Sequence, residues 1–296
     1  MHYRVLGACA AALGAFLPVV AAECNRTYLE SYANDYISTY ENGKIADLKR
    51  AENFTYVENN KTTEFSGGIF DKSLVVAWKK TIVDPVECAS FVEFITTKDS
   101  KGAAAPYVIG SQIRHSPGDL STYLIDSIVS TTGSWLFNST KTLEYATQEN
   151  WTRIDDDKLD SREALKLAAD AYLDMWNNKS AVDAVPWGNP CSRLEGSVYT
   201  GTSCKVGIPT NNNQAPNSHR RYVIDQAYGS ISVLCIFEHL SNAPDSHEFR
   251  MENGKLRYIH TITIAKSGFL EVEEPAPVPV AGRRARRGGA SSRLLG

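Results

Sequence analysis

The chain has 296 residues, of which 43% are apolar and 10% aromatic, enough to bury one large core or two ordinary ones, so disorder throughout is excluded. The formal net charge is −3, but Arg4 and five arginines after residue 274 offset a more acidic body, and residues 23–274 carry −9. Because affinity for phosphate backbones comes mostly from clustered Lys and Arg, this acidic body argues against nucleic acid as a partner.

Residues 1–22 have the pattern of a secretory signal peptide. Arg4 precedes an apolar run from Val5 to Val20, and Val20-Ala21-Ala22 offers a small-residue cleavage site. A membrane anchor, the alternative, needs about 20 apolar residues and stronger flanking charge. No later run is long enough to span a bilayer. We expect a mature chain from about Glu23 that is secreted or lumenal in the secretory pathway.

Six Asn-X-Ser/Thr sequons agree with passage through a eukaryotic secretory pathway. The predicted glycosylation sites are Asn25, Asn53, Asn60, Asn138, Asn150 and Asn178. A tail at residues 267–296, rich in Pro and then in Arg and Gly, is expected to be disordered.

Removal of the signal leaves five cysteines, so at least one is unpaired or pairs between chains. The predicted disulfide bonds are Cys24 with Cys88 and Cys191 with Cys204. The second pair flanks a short loop, whose closure costs little entropy, and the first ties the mature N-terminus to the first half. Cys235 lies in the apolar strand 233–237, where a buried thiol acting as a small hydrophobe is favoured over a catalytic thiolate.

One amphipathic helix is predicted in each half of the chain. The first runs from Tyr28 to Glu41, with Gly43 as its stop, and the second follows the capping box Asp160-Ser161-Arg162-Glu163. Their apolar positions correspond at a constant offset of 136 residues, pairing Leu29 with Leu165, Ala33 with Ala169, Tyr36 with Tyr172, Ile37 with Leu173 and Tyr40 with Trp176. This repetition indicates a duplicated domain.

The same offset relates two stretches that are predicted to be strand-rich. Residues 114–128 lie on residues 250–264 without a gap, and apolar runs before Asp84 and Asp225 also correspond, although those two residues differ by 141. Insertions therefore interrupt each half. We place the first domain at 23–145 and the second at 155–266.

A long helix followed by a strongly bent antiparallel sheet makes an α+β unit of ordinary domain size. In this the sequence resembles the SnoaL-like superfamily, also named for nuclear transport factor 2, in which a curved sheet wraps a helix to form a cone with an internal pocket. Because the resemblance covers both halves, it implies two tandem cones, each a long helix packed in a curved antiparallel sheet.

Three segments of the second half, residues 185–196, 220–225 and 244–250, are similar to a family of secreted fungal proteins classed by a domain of unknown function. Some fungal biosynthetic clusters recruit proteins of this general kind as pericyclases, including hetero-Diels-Alder enzymes that join a terpene to a quinone methide. The resemblance thus implies an enzyme of fungal secondary metabolism that acts on a polyketide or terpenoid intermediate.

The closing strand, residues 254–264, contains the first candidate site residues. Alternation puts Tyr258 and His260 on one mostly apolar face, and if that face lines the cone they are hydrogen-bonding groups inside an oily pocket. A satisfied core histidine is the alternative. The gapless repeat sets Thr122 and Leu124 at their positions, so the second half is the better candidate for chemistry.

The other candidates also lie in the second half. Asp225 is a candidate general base, with a turn-capping or ion-paired carboxylate as the alternative because Asp84 matches it. Arg193 and Glu195 would share one face of a strand, as an orienting pair for a ligand or as a structural ion pair. Two more residues, Tyr222 and His247, are assigned to ligand binding, although a surface position also fits His247.

No metal or cofactor is expected from the spacing of the candidate ligands. His-X-His, His-Glu-X-X-His, Cys-X-X-Cys and Gly-X-Ser-X-Gly patterns do not occur in the sequence. We therefore predict a cofactor-independent enzyme that holds apolar reactants in a near-attack geometry, with Tyr258, His260 or Arg193 polarising a carbonyl. The alternatives are a secreted glycoprotein that only binds an apolar small molecule and one with a filled core. A homodimer is left open.

Overall fold

The computed structural model describes residues 24–208 and 214–265. The predicted signal peptide at 1–22 and the predicted tail at 267–296 lie outside these residues. The described chain is α+β, with two six-stranded mixed sheets and few helices. No helix within it is both long enough and apolar enough to cross a membrane.

The first domain contains one long helix and the first sheet. Its elements are α1 (Arg26–Asn42), β1 (Arg50–Glu58), β2 (Lys61–Thr63), β3 (Leu74–Asp84), β4 (Ala89–Asp99), β5 (Ala104–His115) and β6 (Thr122–Thr131). The strand order is β2-β1-β6-β5-β4-β3. β1 and β6 are parallel, while the other neighbours are antiparallel. The helix α2 (Ser139–Ala146) follows, in the segment that joins the two sheets.

The second domain repeats this arrangement. Its elements are α3 (Arg162–Asp174), α4 (Ala181–Ala184), β7 (Trp187–Glu195), β8 (Val198–Tyr199), β9 (Asn217–Asp225), β10 (Ser230–Phe237), β11 (Ala243–Glu252) and β12 (Lys255–Thr263). The order β8-β7-β12-β11-β10-β9 matches that of the first sheet, and β7 and β12 are parallel. The expected antiparallel sheets are therefore mixed, because the strand after each long helix pairs in parallel with the last strand of its domain.

Side-chain and backbone caps set the ends of the two long helices. The Asn25 side chain accepts the Tyr28 backbone N–H at the start of α1, and Gly43 ends the helix as predicted, in the left-handed region with φ +63°. The N-cap of α3 is Ser161, whose hydroxyl accepts the Ala164 N–H, rather than the predicted Asp160. Each helix then turns its apolar side to the sheet of its own domain.

Three apolar clusters form the interior. The first core lies between α1 and the first sheet and includes Tyr36, Tyr40, Tyr56, Phe94, Ile109 and Ile125. The second core lies between α3 and the second sheet and includes Tyr172, Trp176, Cys235, Phe249 and Ile259. The interface core joins the two domains and includes Phe91, Ile128, Leu234 and Ile262. The two sheets therefore pack against each other through their outer faces.

Strand registers show how the two domains correspond, and they correct the predicted alignment. Reading across the sheets from Asp84 leads to Ala89, Arg114 and Leu124; reading across from Asp225 leads to Ser230, Arg250 and Tyr258. Tyr258 thus corresponds to Leu124 and, two residues on, His260 corresponds to Asp126. The gapless repeat placed both partners two residues too early, because the hairpin from Arg250 to Tyr258 is two residues shorter than that from Arg114 to Leu124.

Both predicted disulfide bonds are confirmed. Cys24 is bonded to Cys88 and Cys191 to Cys204, while Cys235 is a buried free cysteine. Two disulfide bonds fit an oxidising secretory environment.

Candidate functional site

The face of β12 that carries Tyr258 and His260 does not line the second core. Ile259, on the opposite face, belongs to the second core, whereas Ile262 belongs to the interface core. His260 contacts Glu93 of β4, in the other domain. The alternation was predicted correctly, but the face assumed to line a pocket is turned toward the first domain.

His260 belongs to a buried group of charges between the domains, the interface charge cluster, which comprises Lys80, Glu93, Glu149, Glu248 and His260. His260 Nδ1 lies 3.0 Å from Glu93 Oε1 and its Nε2 lies 2.6 Å from Glu149 Oε2. Lys80 Nζ lies 2.8 Å from Glu248 Oε2. Burial alone would lower the pKa of His260, but the two carboxylates raise it to about 10, so the imidazole is a cation at neutral pH.

The segment that joins the domains covers this cluster. The Trp151 ring centroid lies 2.9 Å from Lys80 Nζ, and the indole N–H donates to Glu149 at 2.9 Å. The Asn150 backbone N–H donates to the Tyr258 hydroxyl at 3.3 Å. Tyr258 and His260 therefore hold the joining segment and the two domains together, which matches the satisfied histidine that the sequence left as an alternative.

Asp225 and Asp84 make reciprocal contacts across the interface. Asp225 accepts two hydrogen bonds from the Arg26 guanidinium, at 2.6 and 2.9 Å, and one from the Val83 backbone N–H. Asp84 accepts two from Arg162, at 2.7 and 2.6 Å, and one from the Ile224 N–H. Each carboxylate thus binds the first residue of the other domain's long helix. These contacts of Asp225 and Asp84 match the ion-paired alternative.

Arg193 lies inside the second core, on the face of the second sheet that α3 covers. Its side chain is 5% exposed and donates to the Tyr172 hydroxyl and to the Cys204 and Val206 carbonyls, and it pairs with Glu195 at 2.8 Å. Its Nε–H is buried and has no hydrogen-bond partner within the part of the chain that the structure describes. Burial raises the pKa of Tyr172 to about 12, although the Arg193 charge opposes the rise. The predicted pair of Arg193 and Glu195 is therefore formed.

Three further side chains meet in the second core and form the Cys–Asp–His cluster, which comprises Cys235, Asp245 and His247. Asp245 Oδ2 lies 2.9 Å from His247 Nδ1 and 3.5 Å from Cys235 Sγ. Thr263 donates to the other carboxylate oxygen at 2.7 Å. Burial, followed by the neighbouring carboxylate, raises the pKa of the Cys235 thiol well above its usual range. The three donor atoms all lie within 4.8 Å of one another, close enough to hold a metal ion.

Sequence reasoning reached only part of this cluster. His247 was assigned to a ligand site, Cys235 was interpreted as an apolar filler and Asp245 was missed. Cys235 and Asp245 are opposite each other in the β10–β11 ladder, and no short motif contains that pairing. The available signal was alternation, since Asp245 and His247 are two residues apart and so share a face of β11.

The equivalent positions of the first core carry different side chains. The registers place Phe94 at the position of Cys235, Ile109 at that of Asp245 and Ser111 at that of His247. Tyr56 occupies the position of Arg193, because the two face Ile125 and Ile259 respectively. The second core therefore holds a cation, a carboxylate, an imidazole and a thiol where the first has only aromatic, aliphatic and hydroxyl groups.

Tyr222 lies outside both cores, in an open cleft of about 600 Å³ between the domains. Its hydroxyl donates to Asp170 at 2.7 Å. The cleft is lined by five cations, Arg114, Arg162, Lys166, Arg220 and Arg221. All but Arg114 have a carboxylate partner among the described residues.

A second open cleft, of about 580 Å³, lies beside α3 and α4. Neither cleft has Tyr258, His260 or Arg193 in its wall.

Five of the six predicted glycosylation sites are exposed, namely Asn25, Asn53, Asn138, Asn150 and Asn178. Asn60 differs. Its Nδ2, the atom to which a glycan would be attached, is buried, and its Oδ1 accepts from Arg221 of the second domain at 3.3 Å. A glycan at Asn60 would have to separate the two domains locally, so the structure does not favour this predicted site.

Comparison with known families agrees with the division of the chain. A family model described as a domain of unknown function (DUF8021) matches residues 158–263, the segment that contains α3 and the whole second sheet. No curated protein matches the chain.

Proposed function

We propose that the second core is the functional site and that the protein is an enzyme which cyclises or isomerises an apolar polyketide or terpenoid intermediate. The observation that carries the proposal is the presence of Arg193 and the Cys–Asp–His cluster at positions where the first core has no charged group. Burying charged and polar side chains costs stability. A second core selected only for stability would have kept the chemistry of the first.

Arg193 is the group best placed to act on a ligand. Its terminal nitrogens donate to the carbonyl oxygens of Cys204 and Val206, so a ligand carbonyl that replaced one of them would meet the same donors. The buried Nε–H, which has no hydrogen-bond partner among the described residues, adds a third donor. Donors fixed in a dry site stabilise the negative charge that builds on such a carbonyl during a cyclisation or isomerisation.

The walls of the second core are suited to an apolar substrate. Tyr172 packs against Trp176, Trp187 and Phe249, with ring centroids 5.1 to 6.0 Å apart. Aromatic walls with a few polar groups are typical of small-molecule sites. Holding the reacting ends of one molecule together on such walls lowers the entropic part of the barrier.

We also propose that both halves of the chain belong to the SnoaL-like superfamily. A long helix against each six-stranded sheet, and identical strand orders, support two tandem SnoaL-like cones, and the two disulfide bonds support a secreted protein. The alternative function is a secreted glycoprotein that binds an apolar molecule without changing it. The aromatic rings around Tyr172 support that alternative as well, since they suit an apolar molecule whether or not it reacts.

The purified protein, incubated with an organic extract from a source-organism culture in which its gene is deleted, distinguishes these functions. The enzyme consumes one compound and forms a product of the same mass and different retention time, as liquid chromatography with mass spectrometry would show. A carrier retains one compound unchanged through gel filtration. If no compound is consumed or retained, both functions are wrong.

A further inference from the structure

The Cys–Asp–His cluster has the ligand set of a transition-metal site. We propose that Cys235, Asp245 and His247 bind one divalent metal ion, zinc by preference, inside the second core. Thiolate, carboxylate and imidazole are the three ligand types that zinc takes in proteins, and three protein ligands leave a fourth position for water or for a substrate oxygen. Metal binding stands independently of the proposed enzymatic activity; only its use in catalysis rests on that activity.

The distances fit a metal bound between the three side chains. In tetrahedral zinc sites the ligand atoms are about 3.3 to 3.7 Å apart. Asp245 Oδ2 is 2.9 Å from His247 Nδ1 and 3.5 Å from Cys235 Sγ, so these two pairs are within a few tenths of an ångström of the tetrahedral range, and all three ligand atoms lie within 4.8 Å of one another. The same carboxylate oxygen faces both partners. The other oxygen is held by the Thr263 hydroxyl at 2.7 Å, an outer contact that orients a monodentate carboxylate ligand.

His247 presents a ring nitrogen that no hydrogen bond explains. The residue is 3% exposed, and its Nδ1 is buried without a hydrogen-bond partner, although Asp245 Oδ2 is close. The ring is fixed by Phe249, which stacks on it at 5.8 Å, and by Tyr172 and Trp176. The His247 nitrogen is close to the Asp245 carboxylate oxygen but is not in line for a hydrogen bond with it. Two atoms that bind the same metal ion have this arrangement.

The charges of the cluster also favour a cation. Asp245 is fully buried, and its ion-pair partner among the described residues is His247. A metal cation bound between the two side chains would compensate the buried carboxylate. Zinc with one thiolate, one carboxylate and a neutral imidazole has a net charge of zero. Binding would release the Cys235 proton to solvent.

The site also accounts for the odd cysteine of a chain whose other described cysteines form disulfide bonds. A thiolate bound to a metal and buried in a core is protected from disulfide exchange. Motif searches miss this arrangement because Cys235 and Asp245 come from facing strands of the β10–β11 hairpin, with His247 two residues further on.

The full-length secreted protein, purified without chelator, tests the proposal through its metal content. We expect about one zinc per chain after incubation with Zn²⁺ and dialysis. After exchange into Co²⁺ we expect a thiolate-to-cobalt charge-transfer band together with d–d bands of tetrahedral intensity. Correctly folded wild-type protein that retains no stoichiometric zinc or cobalt would overturn the proposal.

Matched variants locate the ion. C235S and H247Q should lower metal affinity by at least tenfold, and C235S should abolish the charge-transfer band. H115Q removes the buried histidine of the first core instead and should bind zinc like the wild type. Unchanged binding in C235S and H247Q places the ion elsewhere and contradicts the site. If a variant fails to fold, the cobalt spectrum of the wild type still decides, because a band without thiolate character excludes Cys235.

Metal content and turnover separate this inference from the proposed function. Zinc bound by a protein that neither consumes nor retains a compound would leave the metal site correct and the enzymatic function wrong. Turnover by a protein that binds no zinc or cobalt would leave the enzymatic function correct and the metal site wrong.

Discussion

The two cores share an architecture and differ in chemistry. In each, a tyrosine of the long helix directs its hydroxyl toward the sheet. The Tyr36 hydroxyl lies 2.7 to 3.2 Å from the hydroxyls of Tyr40, Ser111 and Ser127. The Tyr172 hydroxyl instead accepts from Arg193, and its ring packs beside His247. The two copies thus share a scaffold, but the second copy has buried charged side chains at positions where the first copy has none.

The interface between the domains shows the same combination of symmetry and difference. The pairs of Arg26 with Asp225 and Arg162 with Asp84 are equivalent and equally close. The registers also make His260 equivalent to Asp126, yet His260 belongs to the interface charge cluster, whereas Asp126 pairs with Arg221 at 2.6 Å. The two equivalent Arg–Asp pairs therefore hold the domains together, while the contacts of His260 and Asp126 show that the two copies differ.

The largest expected effect tests the symmetric part. Asp84→Ala and Asp225→Ala should each lower the free energy of unfolding by about 3 kcal/mol, because each leaves an arginine and a backbone N–H of the opposite domain without their acceptor. Denaturant unfolding would measure both. Asp156→Ala, which removes an exposed ion pair with Arg153, is the control and should cost under about 0.5 kcal/mol. A large loss in only one of the two buried variants would contradict the reciprocal arrangement.

The interface charge cluster gives the next effect, as a pH dependence. The folded-state pKa of His260 is about 10, above the usual 6.5, so its stabilisation is fully present below pH 6.5 and is lost as the pH rises to 10. Wild-type stability relative to His260→Gln should therefore fall progressively as the pH rises across that window. Urea unfolding at several pH values measures the difference. Parallel pH profiles of the two proteins would show that His260 is not the buried cation described here.

Substitution of Arg193 in the second core should change the activation free energy of turnover by a smaller amount, which is measured as a rate. Arg193→Met should lower turnover of the compound consumed from the extract at least a hundredfold, the cost of losing a fixed donor to a developing oxyanion. Arg193→Lys, which keeps the charge without the planar fork, should be intermediate. Tyr56→Phe changes the equivalent position of the first core and should turn over normally. Equal rates in all folded variants would remove Arg193 from the site.

The smallest effect concerns the sequons. Asn53→Gln should lower the mass of the protein expressed through a eukaryotic secretory pathway by one glycan, whereas Asn60→Gln should leave it unchanged, because Asn60 Nδ2 is buried. Intact-mass spectrometry before and after glycosidase treatment measures both. A glycan at Asn60 would contradict the contact between Asn60 and Arg221.

Periodicity in the sequence was sufficient for the helices, the duplication and both disulfide bonds, because these depend on local pattern and on loop length. It was insufficient for the position of His260. Alternation separates two faces of a strand, but which face meets the helix and which meets the other domain is a tertiary choice. The two-residue difference between the hairpins then shifted the repeat, so that Leu124 was compared with His260 in place of Asp126.

The candidate site was predictable only in part for a related reason. Arg193 and Glu195 were found because residues two apart on a strand share a face. Asp245 and Cys235 meet across a hairpin, and their contact depends on a register that one sequence does not specify. The arginine that binds Asp225 lies in the other domain, 199 residues away in the chain.

Hydrogen–deuterium exchange of the full-length protein, with and without the compound consumed or retained from the extract, tests the central claim most directly. If the second core is the site, added protection appears in peptides from β7, β10 and β11 and not in the equivalent strands β1, β4 and β5. Protection in the first domain, or an equal change in both, would contradict the assignment of function to the second core.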